Sequence, residues 1–170
     1  MSLFYAAYGS NLHPARLQQR TPSARLVTTT KLDGWQLCFH KRSNFDGSGK
    51  CNILMGQGSV HVAIFELAPA DKPLLDRVEG LGNGYEEATI QLPEIGSAFV
   101  YVAAESHIDD QLKPFSWYKA LVVAGCGYHK FPRPYVRVVK RIDDLRDPDS
   151  DRHDRHMSLI ASFGEPISGA

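Results

Sequence analysis

Cysteine is scarce in this chain: only Cys38, Cys51 and Cys126 occur, odd in number, widely spaced and without a Cys-x-x-Cys pair. That argues against a disulfide framework and fits reduced thiols in a cytoplasmic protein. Net charge is missing as well, with 19 Lys and Arg against 19 Asp and Glu. Without a broad basic field, neither nucleic acid nor an anionic membrane surface is expected as the main partner. No apolar run approaches the ~20 residues of a membrane span. No charged n-region with a signal-length apolar stretch opens the chain, so secretion by that route is not expected. Internal repeats are absent, and no second domain is visible in the 170 residues.

What is present is enough for a sizeable core: 43% of the residues are hydrophobic and 22% charged, as in an ordinary globular domain. The informative stretch is Tyr8-Gly9-Ser10-Asn11-Leu12. An apolar run over 3–7, with Phe4 and Tyr5, predicts a strand before it. Asn11 as an N-cap and Pro14 in the first turn predict a helix over 13–20 after it. Gly9 and Ser10 then lie in a tight strand-to-helix turn. Successive backbone N–H groups in such a turn can converge on an anion or an oxyanion, and Gly9 lets a ligand approach the backbone closely.

Further along, strand-prone residues over 24–32 and 35–40 flank Asp33-Gly34, which predicts a hairpin turn. The polar, Gly-rich stretch 41–50 reads as a loop. A short strand over 51–55, a turn at Gly56-Gln57-Gly58 and a half-buried strand over 59–67 follow. Asp71 as N-cap and an apolar stripe of Leu74, Leu75 and Val78 predict a helix ending at Glu79-Gly80. The connection 80–84 is irregular, and it is no dinucleotide fingerprint, because a helix stands before it where that motif has a strand. Strands over 85–92 and 97–103, a helix over 114–127 and a shorter amphipathic helix over 135–141 complete the pattern. The densely charged stretch 143–156 reads as a solvated helix or as disorder. The order predicts an α+β fold, a largely antiparallel curved sheet with helices packed outside it.

Two motifs together resemble the γ-glutamylcyclotransferase family: Tyr8-Gly9-Ser10-Asn11-Leu12 matches its N-terminal signature, and Leu75-Asp76-Arg77-Val78-Glu79-Gly80 matches the segment that carries its catalytic glutamate. The resemblance runs from about residue 3 to about residue 142. It implies a family domain over 1–142 and a charged tail over 143–170, partly helical or disordered. It also implies a small barrel-like curved sheet with one cavity at its mouth, and a homodimer by family habit.

The implied reaction is an intramolecular aminolysis: the α-amine of a γ-glutamyl compound attacks its own γ-amide carbonyl, giving 5-oxoproline and a released amine. Glu79 is the expected general acid and base. Tyr8, Gly9, Ser10, Asn11 and Leu12 form the substrate cradle. Tyr118 occupies the place of a pocket tyrosine, and Tyr85 is a displaced candidate for another. Tyr101 is expected to be packing. No metal, cofactor or covalent intermediate is called for, and the partner is a small γ-glutamyl molecule. Leaving-group selectivity is expected in the loops 41–50 and 80–84.

Plainer alternatives exist for each residue. Glu79 could be an exposed Glu at a helix end, although a carboxylate there opposes the helix dipole. Ser10 lacks the Gly-x-Ser-x-Gly context of a hydrolase. His153 and His156 share a helix face that could hold a metal, but a solvated tail explains them. Cys126 and His129 lie close in sequence without an activating helix start. The main functional alternative is a fold relative without turnover, a module for binding a small ligand or for interaction.

Overall fold

The computed structural model describes residues 2–164. Five strands, β1 Leu3–Ala7, β2 Arg25–Arg42, β3 Gly49–Leu67, β4 Tyr85–Leu92 and β5 Gly96–Ala103, form one sheet. Their order is β2-β3-β1-β5-β4. Neighbours are antiparallel except β1 and β5, which run parallel where Tyr5 faces Phe99. Five helices surround the sheet: α1 Pro14–Gln18, α2 Lys72–Glu79, α3 Ser116–Tyr128, α4 Arg133–Arg141 and α5 Ser150–Ser162. This is the α+β architecture, with a largely antiparallel curved sheet, that the order of elements predicts.

β1 is central and short. Tyr5, Ala6 and Ala7 are buried in succession. Successive strand residues point to opposite faces, so both faces of β1 are covered. The chain therefore leaves β1 at the middle of the sheet, which fixes where the signature turn lies.

The glycine signals in β2 and β3 mislead. Asp33-Gly34 and Gly56-Gln57-Gly58 are not turns; two long antiparallel strands run straight through them. Asp33-Gly34 is a shift in pairing, between Asp33 opposite Ser59 and Trp35 opposite Met55. Between those pairs β2 has a single residue, Gly34 at φ +80°, and β3 has three, Gly56 to Gly58, so the extra residues of the bulge lie on β3. Gly56 sits against Gln36, whose Cβ would be 3.1 Å from a Cβ added at Gly56. Glycine in a strand can mark such a close approach as readily as it marks a turn. The reversal between β2 and β3 comes later, inside the predicted loop, where the Ser43 N–H donates to the Ser48 carbonyl at 3.0 Å.

The charged C-terminal stretch is neither fully solvated nor structureless. The ring of His156 lies on that of Trp117 of α3, with centroids 3.8 Å apart and planes 11° from parallel. Asp147 is fully buried. It accepts from Trp117 Nε1 at 2.7 Å and from two nitrogens of Arg152 at 2.6 Å each. The charges pair with one another, which composition alone does not reveal. No helix among the described residues is long and apolar enough to cross a membrane, and all three cysteines are unpaired.

Candidate active site

Residues Tyr8 to Leu12 lie between the end of β1 and the start of α1. The predicted cap is corrected: His13 caps α1, its Nδ1 accepting from the Ala15 N–H at 3.2 Å, and the side chain of Asn11 is free to act elsewhere. Gly9 is required by β3, since a Cβ on it would lie 2.9 Å from Cys51 Cβ. Its carbonyl accepts from the Leu12 N–H at 3.1 Å. The N–H groups of Gly9, Ser10 and Asn11 meet no protein acceptor among the described residues. α3 clamps the turn from outside. A Cβ on Gly125 would stand 2.3 Å from Leu12 Cβ, and His129 Nε2 donates to the Leu12 carbonyl at 2.7 Å.

Glu79 is the last residue of α2, and Gly80 closes the helix in the left-handed conformation, φ +75°. Leu75, fully buried, anchors the helix to the core. A carboxylate at this end opposes the helix dipole, and Arg20 supplies the compensating charge. Arg20 Nη1 donates to Glu79 Oε1 at 2.9 Å and to Asn11 Oδ1 at 2.8 Å. Asn11 Nδ2 donates to the same Glu79 oxygen at 2.9 Å, and to Tyr5 Oη at 3.1 Å. Two donors thus hold Oε1, while Oε2 has no protein partner among the described residues. The Glu79 side chain is 15% exposed. Arg20 is not visible in the sequence as a site residue, because nothing local links it to Glu79.

Glu79, Tyr8, Gly9, Ser10 and Asn11 line one small, partly open cavity, together with Tyr5, Tyr85, Tyr101, Tyr118 and Cys51. Leu12 is not among the lining residues: its N–H is bonded to Gly9, its carbonyl to His129, and its side chain is buried. Tyr118 reaches the cavity from the first turn of α3, where its hydroxyl accepts from the buried Cys51 N–H at 3.1 Å. Tyr85 donates to the Cys51 carbonyl, and Tyr8 to the Tyr101 carbonyl. Tyr101, expected as packing, is part of the wall, and its hydroxyl donates to Asp76 one turn before Glu79. Burial pushes all five phenols above their ordinary range. They stay neutral and act as hydrogen-bonding walls, not as bases. Burial likewise pushes the Cys51 thiol up, which removes it as a nucleophile.

The other constellations do not assemble. No histidine bonds Ser10 among the described residues. His156 is stacked on Trp117, and no group of three His, Cys, Asp or Glu that could hold a metal ion gathers among the described residues. Cys126 is buried, its thiol pushed up to about 12.

Residues 5–120 match the family described as gamma-glutamyl cyclotransferase, AIG2-like. The fold is similar to that of a solved gamma-glutamyl cyclotransferase, at 22% identity and TM-score 0.77, covering 93% of this chain and 99% of the other. It is similar also to an uncharacterized protein from Homo sapiens, at 21% identity and TM-score 0.77, covering 95% and 99% of the two chains. YkqA from Bacillus subtilis shares it at 15% identity and TM-score 0.67, covering 85% of this chain and 56% of that one. At these identities the likeness shows the fold. No curated protein sequence matches.

Proposed function

Because the chain belongs to the gamma-glutamyl cyclotransferase, AIG2-like family, we propose that it cyclises a γ-glutamyl amino acid or amine to 5-oxoproline and releases the amine. The observation that carries this reading is the direct bond between its two motifs: Asn11 of the turn donates to Glu79 at 2.9 Å, at the wall of one cavity.

The chemistry follows from proton bookkeeping. The substrate's α-ammonium has no lone pair, so it must first give a proton to Glu79, whose Oε2 is open. The amine nitrogen then attacks the γ-carbonyl carbon, and the N–C bond that closes the five-membered ring forms. Negative charge moves onto the carbonyl oxygen, where the free N–H groups of Gly9, Ser10 and Asn11 can receive it. Glu79 returns the proton to the departing nitrogen as the amide bond breaks. Its carboxylate then takes the second proton from the ring nitrogen, which otherwise carries two hydrogens, and passes it to the released amine, which leaves as its ammonium. Arg20 and Asn11 hold the other carboxylate oxygen, so the base is fixed in position. Folding a flexible substrate into this near-attack shape contributes on the order of 7 kcal/mol or more. The three unpaired thiols favour a reducing compartment, the cytoplasm, as its setting.

The test is a panel of γ-glutamyl dipeptides and amines incubated with the protein, with 5-oxoproline read by chromatography. Turnover of one member supports the reading. If no member reacts while one raises the melting temperature, the cavity binds without catalysis and the reading fails.

A further inference from the structure

Five tyrosines wall the cavity, and four of them place their hydroxyl protons on protein acceptors. Tyr8 donates to the Tyr101 carbonyl, Tyr85 to the Cys51 carbonyl and Tyr101 to Asp76. Tyr118 accepts from the Cys51 N–H and has the Cys51 side chain as the partner of its own proton. Tyr5 differs from the others: its Oη accepts from Asn11 Nδ2 at 3.1 Å, and its own O–H has no protein acceptor among the described residues. The direction of that bond is forced. Asn11 meets Arg20, which can only donate, and Glu79, which accepts. Its carbonyl oxygen therefore turns to Arg20, and its NH2 group to Glu79 and Tyr5. Tyr5 must then accept from Asn11, and its proton is left for the cavity.

The ring is held from several sides. Tyr5 pairs with Phe65 of β3 and Phe99 of β5 in the middle of the sheet and is 4% exposed. It is stacked on Phe99, with centroids 5.2 Å apart, and edge-on to Tyr101 at 5.7 Å. Burial, and then the charge of Glu79, push the phenol above its ordinary range, so it keeps its proton at every working pH. The hydroxyl also adjoins the base, because the Asn11 Nδ2 that donates to it donates to Glu79 Oε1 at 2.9 Å as well. In the proposed reaction the attacking nitrogen becomes bonded to the γ-carbonyl carbon. The carbonyl oxygen then stands two bonds from the nitrogen that Glu79 serves, within reach of a donor beside Glu79.

We propose that Tyr5 is a catalytic residue: its hydroxyl donates a hydrogen bond to the γ-carbonyl oxygen as negative charge develops there, beside the turn amides. This rests on the cyclotransferase reading above. The proton stays on the phenol throughout, so the proton transfers through Glu79 are unchanged. A donor already oriented in the empty site contributes most in the transition state, where its acceptor carries charge. The sequence shows Tyr5 only as a strand former, because the partner that leaves its proton free lies six residues on, beyond the strand.

The experiment measures kcat and KM of Tyr5→Phe across pH on a γ-glutamyl compound that the wild type cyclises, and 5-oxoproline affinity by calorimetry. kcat is expected to fall by about 10²- to 10³-fold, the usual effect of removing one oxyanion donor, with KM little changed. Affinity for 5-oxoproline should fall by about tenfold or less, because its neutral carbonyl takes a weaker bond. The acid limb of the pH profile should stay in place, since Glu79 keeps Arg20 and Asn11. Mono- and difluorotyrosine in place of Tyr5, stronger donors of nearly the same shape, should raise kcat in that order. Turnover of Tyr5→Phe within about threefold of wild type overturns the inference. So does a shifted acid limb with an unchanged plateau, the mark of a hydroxyl that only positions Asn11 and Glu79. A fluorotyrosine series without a trend overturns it too. If the wild type cyclises no γ-glutamyl compound, the cyclotransferase reading fails, and 5-oxoproline binding decides the donor. Weaker binding by Tyr5→Phe then supports it, and equal affinity, or no binding by either protein, overturns it.

Discussion

Arg20 makes a sharp prediction because its energetic worth can be bracketed. Arg20→Met keeps the aliphatic stem and removes the guanidinium, leaving Glu79 Oε1 and Asn11 Oδ1 without their shared donor. A fully exposed ion pair is worth about 0.2–1 kcal/mol, whereas breaking a buried one costs about 3–5 kcal/mol. The side chains here are 20% and 15% exposed, so the loss should be about 2 kcal/mol, between those limits. For a chain of this size that lowers the melting temperature by about 4–8 °C. The carboxylate also loses one of the two donors that hold it, and kcat should fall by about 10- to 100-fold, as expected for a displaced catalytic group. A double-mutant cycle with Glu79→Gln isolates the pair. A neutral amide needs no counter-ion, so Arg20→Met should cost about 1–2 kcal/mol less in the Glu79→Gln background. If Arg20→Met melts within about 1 °C of wild type and its effect simply adds to that of Glu79→Gln, Arg20 is not the compensating charge.

Gly125→Ala should destabilise, although alanine is the better helix former by about 0.5–1 kcal/mol. The new Cβ would stand 2.3 Å from Leu12 Cβ, and overpacking of that kind costs about 1–3 kcal/mol; denaturant melts and the activity assay should both show the loss, since the displaced element is the turn proposed to hold the substrate. Tyr118→Phe removes the acceptor of the buried Cys51 N–H and should cost about 1–3 kcal/mol in urea unfolding. Acid should loosen α5 from α3 in two stages, followed by Trp117 fluorescence. Desolvation first, then nearby Arg16, lowers the His156 pKa to about 4. An unfolded histidine titrates near ~6.5, so the unfolded chain binds more protons between these values. Stability from this group is complete above that range and is lost as pH falls through it. Arg152 holds the Asp147 carboxyl well below the usual range, so its contribution is lost only below about pH 4. A transition that is flat from pH 7 to 3 would refute both assignments.

What could be read from the sequence was what is encoded locally. The strand, turn and helix around Tyr8 to Leu12 follow one another within a few residues, and so do the helix over 72–79 and its glycine cap. Glycines inside the long hairpin were not readable. Gly34, Gly56 and Gly58 carry the same local signal as turn glycines, and only the opposing strand shows that Gly34 stands opposite a bulge and that Gly56 is a close approach. The network around Glu79 was half readable. Asn11 has the chemistry of a helix cap, and its use against Glu79 depends on a contact 68 positions away. Arg20, nine residues after Asn11, lies on the turn that ends α1, where a surface arginine would look the same. Asp147 and Arg152 were hidden by their setting, because a charged tail and a buried ion pair have the same composition.

The most direct measurement is the turnover of Glu79→Gln on whichever γ-glutamyl compound the wild type cyclises, with 5-oxoproline binding measured on the same preparation. An isosteric amide can fill the space but cannot take a proton from the α-ammonium. The account predicts a kcat lowered by about 10²- to 10⁴-fold, the usual contribution of a general acid–base group, with 5-oxoproline affinity changed by no more than about threefold. A Glu79→Gln enzyme that forms 5-oxoproline at a rate comparable to wild type would contradict it.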